Sequence, residues 1–355
     1  MTKVCKTKEL LAEYINRLRV ANQQRLPAER ILADELGYSR ATIGKALGVL
    51  EGEGLIVRKK GSGTYIADSG KKKKMTIALA MRKAYHCTNP HFKLIVNEVS
   101  RFAEQNNMYI QIYDRLPDMF EEDPECNNLM EAIRSGRING VLITSRMPLS
   151  IISRINAACP VVSINNVFGD GNEVPCISCD YFYAGFLAGK YLIEKGHRKI
   201  AYVTENINHP ESAFDFSGLK AAGEMAGIKI TQDDVLDTKI FMHIFNKRVG
   251  NFFKGAHYTA CFVRSTSYAT RMISALKQYN INVPENLSII AGGNYSNASG
   301  DLKLSVIDNQ LDEMCRRALD LLCDLIRGKD LQGSTGINLL SPQLIENGSC
   351  RDINK

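Results

Sequence analysis

Residues 26–66 read LPAERILADELGYSRATIGKALGVLEGEGLIVRKKGSGTYI, and the order of residue types here decides the architecture of the N-terminal part of the chain. Pro27 suits the first turn of a helix, where its missing N–H would have no intrahelical partner. Ile31, Leu32 and Leu36 recur at helical spacing. Gly37 can adopt the left-handed conformation that ends a helix. Ser39 is a natural N-cap for a second helix running from Arg40 to about Glu53, with Ile43, Leu47 and Leu50 on its inner face. Two helices joined by a short glycine-containing turn make a helix-turn-helix. Residues 55–58, a basic glycine-rich tip at 59–63 and residues 64–66 then read as a β-hairpin, a wing. Upstream, residues 6–21 place Leu10, Leu11, Tyr14, Ile15 and Leu18 on one helical face, which completes a small core.

The outer side of the second helix offers Arg40, Thr42 and Lys45, with Ser39 at its start. A helix fits the major groove of duplex DNA, and residues at its N-terminal end reach base edges and phosphates. The wing offers Arg58, Lys59, Lys60, Gly61, Ser62, Gly63 and Thr64; its glycines permit close approach to a phosphate. The stretch resembles the winged helix-turn-helix of GntR-type bacterial regulators in four segments: residues 26–30, 37–42, 50–55 and 61–64. That resemblance implies DNA contacts from Arg30, Ser39, Arg40, Thr42, Lys45, Arg58, Lys60, Gly61, Ser62, Gly63 and Thr64. One departure is Gly44, where many members of that family carry a basic residue; the groove contact is lost or moves to Lys45.

Charge supports the same division. Residues 1–74 hold 16 Lys and Arg against 8 Asp and Glu, whereas the rest hold 29 against 30. The whole positive excess therefore lies in the first fifth of the chain, where counterion release would draw it to a phosphate backbone. Residues 68–74, DSGKKKK, read as a basic linker, either a solvated tether or a source of non-specific phosphate contacts close to the wing. No run of eighteen apolar residues offers a membrane span, and MTKVCKTKEL lacks a secretory h-region. Ten cysteines are scattered, and only Cys176 and Cys179 form a C-x-x-C. The pair lies in VPCISCD, a short strand, so buried thiols rather than a metal site are expected. Free thiols without a signal sequence imply a reducing cytoplasm, with no cofactor or metal.

From Met75 onward the texture changes. Strand-like runs at 76–81, 109–113, 141–144, 161–164, 200–203, 260–263 and 287–290 alternate with helical patterns at 91–105, 127–135, 149–157, 213–226, 268–278 and 311–327. A further helix, capped by Asp180, reaches Lys195. Such alternation implies an α/β fold of parallel sheets covered by helices, and its length implies two lobes. Several segments resemble LacI-type regulators and the related sugar-binding periplasmic proteins. These are Asn89-Pro90-His91-Phe92, residues 137–141, Pro160-Val161-Val162, residues 180–200 and residues 282–289. The resemblance implies a type I periplasmic-binding-protein-like sensor, its lobes joined by three crossovers with a ligand between them. A GntR-type head on a LacI-type sensor is the combination of arabinose-responsive repressors. The expected divisions are 1–68 for the winged helix, 69–75 for the linker and 76–355 for the sensor and dimerisation domain.

In open α/β lobes a ligand sits beyond the carboxyl ends of the strands. Candidate cleft residues are Arg82, Asn89, Phe92, Arg146, Asn165, Phe168, Asp215, Arg264, Ser265 and Asn294. Charged and amide groups match vicinal hydroxyls, and aromatic rings stack on a sugar. The chain departs from the family at three positions. Asp215 stands where the family has an arginine, Ser265-Thr266 where it has asparagine-aspartate, and Gly293 where it has an aspartate. Catalytic signatures are missing: residues 185–190, GFLAGK, are too short for a P-loop and lie in a helical stretch, and GxGxxG, HExxH and GxSxG do not occur. The sequence therefore points to a cytoplasmic, non-enzymatic regulator. It would bind a near-palindromic double-stranded operator as a homodimer, respond to a sugar or sugar-like effector, and have no membrane partner. The competing readings are a solute receptor without a DNA role and a sugar-active enzyme on a doubly wound fold.

Overall fold

The computed structural model describes residues 3–354 except 21–22, 53, 60–61, 67–73, 83–89, 117–123, 168–173, 239–243, 256, 294–302 and 330–335. The chain forms two units, Met1–Lys74 and Met75–Lys355.

The first unit comprises α1 (Lys3–Val20), α2 (Glu29–Leu36), α3 (Arg40–Gly52) and an antiparallel hairpin of β1 (Ile56–Lys59) and β2 (Gly63–Ile66). Leu11 and Ile15 of α1, Leu32 of α2, Ile43, Ala46, Leu47 and Leu50 of α3, and Ile56 and Ile66 of the hairpin form one core. Gly37 ends α2 with φ 71°, and its N–H donates to the Ala33 carbonyl. Two expectations are corrected. Pro27 is not in the first turn, because α2 begins at Glu29 with extended Ala28 as its N-cap. The segment before it is tied to the wing instead: Leu26 N–H donates to the Thr64 carbonyl at 2.9 Å and Ile66 N–H to the Gln24 carbonyl at 2.8 Å. Ile31 is 46% exposed, because this short helix turns Leu32 rather than Ile31 into the core.

In the second unit the first lobe contains β3 (Thr76–Arg82), α4 (Pro90–Gln105), β4 (Tyr109–Leu116), α5 (Pro124–Arg134), β5 (Gly140–Ile143), α6 (Leu149–Asn156), β6 (Val161–Ile164) and β7 (Cys176–Cys179). The second lobe adds α7 (Tyr181–Glu194), β8 (Ile200–Thr204), α8 (Pro210–Met225), β9 (Val235–Asp237), α9 (Phe245–Lys254), β10 (Ala260–Val263), α10 (Thr266–Lys277), β11 (Ser288–Gly292) and β12 (Ser305–Asp308). The chain then returns through α11 (Leu311–Ile326) and β13 (Ile337–Leu340) before ending near β14 (Gln343–Ile345). The first sheet has the order β13-β7-β6-β5-β3-β4, parallel throughout. The second has the order β14-β12-β11-β10-β8-β9, parallel except for the β12–β14 pair. Both faces of the central strands are covered. Ile77, Leu79 and Met81 face α4 and α11, while Ala78 and Ala80 face α5 and α6, which is why the strands read as unbroken apolar runs.

The chain passes between the lobes three times: from β7 to α7, from β12 to α11, and from β13 to β14. The first passage is fixed by Asp180, whose side chain accepts the Tyr183 N–H at 2.9 Å and caps α7. Helices α7 and α8 then pack at close backbone range. A Cβ on Gly185 would overlap the Asp215 carbonyl oxygen, one on Gly218 would overlap the Phe182 carbonyl, and one on Gly189 would lie 2.8 Å from the Ala222 Cβ. Cys176 and Cys179 are buried on β7, and burial raises both thiol pKa values. Among the described residues, no helix is long and apolar enough to cross a membrane.

Candidate functional site

The N-terminal end of α3 carries the proposed DNA-facing set. Ser39 caps the helix by accepting the Thr42 N–H at 3.2 Å, and its hydroxyl lies 2.8 Å from Thr42 Oγ1. Ser39, Arg40 and Lys45 are exposed, as is Arg30 on α2. In the wing, Ser62 Oγ lies 2.7 Å from the Tyr65 hydroxyl, and Lys59 Nζ sits 5.0 Å from the Tyr65 ring centroid. Gly63 has φ 114°, a conformation that a side chain would strain, and a Cβ there would come within 3.2 Å of the Arg25 guanidinium. Thr64 joins the wing to Leu26 through its carbonyl. Lys60 and Gly61 lie outside the described residues. Arg58 is engaged within the unit: its Nη2 donates to the Gly44 carbonyl at 2.9 Å and lies 3.6 Å from Glu29.

In the second unit Asp215 and Arg264 come together. Asp215 occupies the second turn of α8 and is 1% exposed, because Gly185 admits the α8 backbone at that point. Arg264 follows β10 directly. Its Nη1 donates to Asp215 Oδ2 at 2.5 Å and its Nη2 to Glu211 Oε2. The guanidinium carbon lies 4.7 Å from the Tyr181 ring centroid, and the Tyr202 hydroxyl donates to Asp215 Oδ2 at 3.4 Å. Burial pushes the Asp215 carboxyl up to about 7 against the opposing pull of Arg264. It also drives the Tyr181 and Tyr202 hydroxyls well above their ordinary value, so both remain neutral. His209 precedes Glu211 at 3.9 Å, and burial lowers its imidazole pKa while Glu211 opposes the shift. The Arg264 guanidinium, at the end of β10, thus directs its hydrogen bonds at two carboxylates of α8. Arg264 is accordingly a largely enclosed ion-pair partner, its side chain 17% exposed.

The remaining candidates are distributed. Ser265 caps α10 by accepting the Tyr268 N–H at 3.4 Å, and beside it the buried Thr266 hydroxyl has no hydrogen-bond partner among the described residues. Arg82 donates from its backbone N–H to Ser145 Oγ at 2.9 Å and from Nη1 to the Arg146 carbonyl at 3.4 Å. Asn165 has φ 61° and accepts from the Ser178 hydroxyl at 3.2 Å. Phe92 packs on the first-lobe core and lines a depression of about 240 Å³ with Val96, Ile112 and Asp114. Asn89, Phe168 and Asn294 lie outside the described residues. Glu211 and Tyr181 were missed in the sequence. Glu211 stands one helical turn before Asp215, and Pro210 marks the helix start that would have put both on one face.

These features define a winged helix followed in the chain by a two-lobed α/β unit, and the sequence comparisons agree. Residues 60–254 match the periplasmic binding proteins and sugar binding domain of LacI family, which is more than half of the chain, and the protein belongs to that family. Residues 190–350 match a periplasmic binding protein-like domain, and residues 5–66 match the bacterial regulatory proteins of the gntR family. The chain is 23% identical over 372 residues to the arabinose metabolism transcriptional repressor of Geobacillus stearothermophilus, covering 99% of each. It is 25% identical over 266 residues to the HTH-type transcriptional repressor CytR of Escherichia coli K12, covering 74% of this chain and 76% of that one. A LacI family transcriptional regulator from Enterococcus faecium with bound ribose shares the fold, with TM-score 0.65 and 20% identity over 78% of this chain and 99% of that one.

Proposed function

We propose that the protein is a ligand-responsive transcription regulator. Its winged helix reads a near-palindromic duplex operator, and a sugar or sugar-derived effector in the interlobe cleft releases it. The carrying observation is the union in one chain of a cationic winged helix with a two-lobed unit crossed three times by the backbone. The full-length similarity to an arabinose repressor and the fold shared with a ribose-bound regulator support this reading. A homodimer suits the task, because two-fold symmetry in the protein matches two half-sites in DNA. Working on chromosomal DNA, it acts in the cytoplasm and as a binder rather than an enzyme. Effector binding prefers one lobe arrangement, and a coupling of about 1–3 kcal/mol to DNA affinity is the usual scale.

The test joins a thermal-shift screen of neutral sugars, sugar acids, polyols and nucleosides to a gel shift on duplexes enriched from a randomised pool. A compound that binds only the native state raises the melting temperature, and the same compound should weaken the gel shift. Turnover of that compound without any effect on DNA binding would reject the regulator in favour of an enzyme.

A further inference from the structure

The contacts of Arg58 differ from those of a side chain waiting for a phosphate. Its backbone N–H donates to Glu51 Oε1 at 3.1 Å, and its Nε lies 3.6 Å from Glu51 Oε2. The side chain then runs back along α3, so that Nη2 reaches the Gly44 carbonyl at 2.9 Å and stands 3.6 Å from Glu29 Oε1. Glu51 and Gly44 are seven residues apart, about two turns or ~10 Å of helix, which a single arginine spans. The anchor is the Gly44 backbone carbonyl itself; a Cβ there would meet only Glu29 Oε2, at an ordinary contact distance of 3.6 Å, so the clasp does not depend on the residue being glycine. Glu29 in turn lies 3.8 Å from Arg40 Nε, so one carboxylate at the start of α2 faces the start of the recognition helix and the wing together. The two carboxylates offset the two guanidiniums, and the cluster adds no net charge to attract a phosphate backbone.

We propose that Arg58 is a positioning residue for DNA recognition: it clasps wing strand β1 to the backbone of α3 at Gly44, so that wing tip and recognition helix meet the duplex as one surface. Phosphates are then neutralised by other cations of the head. The proposal rests on the reading of the first unit as a DNA-binding head.

The test uses the full chain and two probes, a duplex enriched by the wild type from a randomised pool and poly(dI-dC). Binding is measured across a potassium chloride series for Arg58→Ala, Arg58→Lys and Glu51→Gln. Arg58→Ala should weaken binding to the enriched duplex at least tenfold, approach the poly(dI-dC) affinity, and keep the wild-type salt slope. Arg58→Lys should not rescue it, since an ammonium group cannot span both anchors as a planar fork does. Glu51→Gln keeps an acceptor for the Arg58 N–H but loses the charge facing Arg58 Nε: removing a negative charge should tighten binding if charge alone matters, whereas loss of that ion pair should weaken it. A salt slope reduced by about one in Arg58→Ala and restored in Arg58→Lys would make Arg58 a phosphate ligand and overturn the proposal. Unchanged affinity in Arg58→Ala, or tighter binding by Glu51→Gln, would also overturn it. A wild type that enriches no duplex fails the underlying reading, and the proposal with it.

Discussion

Arg264 shows how much one side chain can commit. A guanidinium largely withdrawn from water is costly to desolvate, and the cost is offset while its carboxylates remain in place. Asp215→Ala should therefore destabilise the full chain by at most about 3–5 kcal/mol, the scale for leaving a buried charge unpaired, because Glu211 still faces the guanidinium. Arg264→Met should cost a similar amount, and Asp215→Ala with Arg264→Met clearly less than the sum. Urea unfolding of the three variants gives the cycle, and strict additivity would show that the two residues act independently. At this scale the sequence was informative but incomplete. Asp215 is legible as a departure from the family pattern and Arg264 as a candidate at a strand end, yet their pairing is not, because residues 49 positions apart meet only through the fold. Glu211 was missed because the helix was expected to begin at Ala213 rather than Pro210.

Among the elements, α7 and α8 are the most constrained pair. Their glycines serve close approach rather than flexibility: Gly185 and Gly218 each face a carbonyl of the other helix. Gly185→Ala should force the helices apart and cost at least about 1–3 kcal/mol, the range for overpacking a filled interior. Gly48→Ala is the control. It lies exposed in α3 with nothing within 4 Å of a Cβ, and should be neutral or stabilising by up to about 1 kcal/mol. Thermal melting of both variants checks the contrast, and a Gly185→Ala protein as stable as wild type would contradict the packing. The strands 161–164 and 260–263 and the helix capped by Asp180 were readable because burial on both faces and a capping carboxylate leave plain local marks. Strands β12, β13 and β14 left none. They are three or four residues long, and Ser305 and Asp308 in β12, Asn338 in β13 and Gln343 in β14 interrupt the short apolar runs. Helix α9 carries Phe245, Val249 and Phe253 at helical spacing, but Gly250 within it and Gly255 at its end obscure the signal.

For the whole molecule, the split of charge between the first 74 residues and the rest separates two jobs that can be damaged independently. Arg40→Glu with Lys45→Glu should abolish binding to an enriched duplex while leaving an effector's thermal shift intact. A gel shift unchanged by the double substitution would remove the N-terminal end of α3 from the interface. The lobes carry a second consequence. Because the backbone passes between them at β7–α7, β12–α11 and β13–β14, neither half is a continuous piece of chain. Three tethers side by side resist swivelling about any one of them, leaving a door-like swing as the easy motion. A protease cutting a single strap would leave two still fastened, so the halves should stay together until denatured.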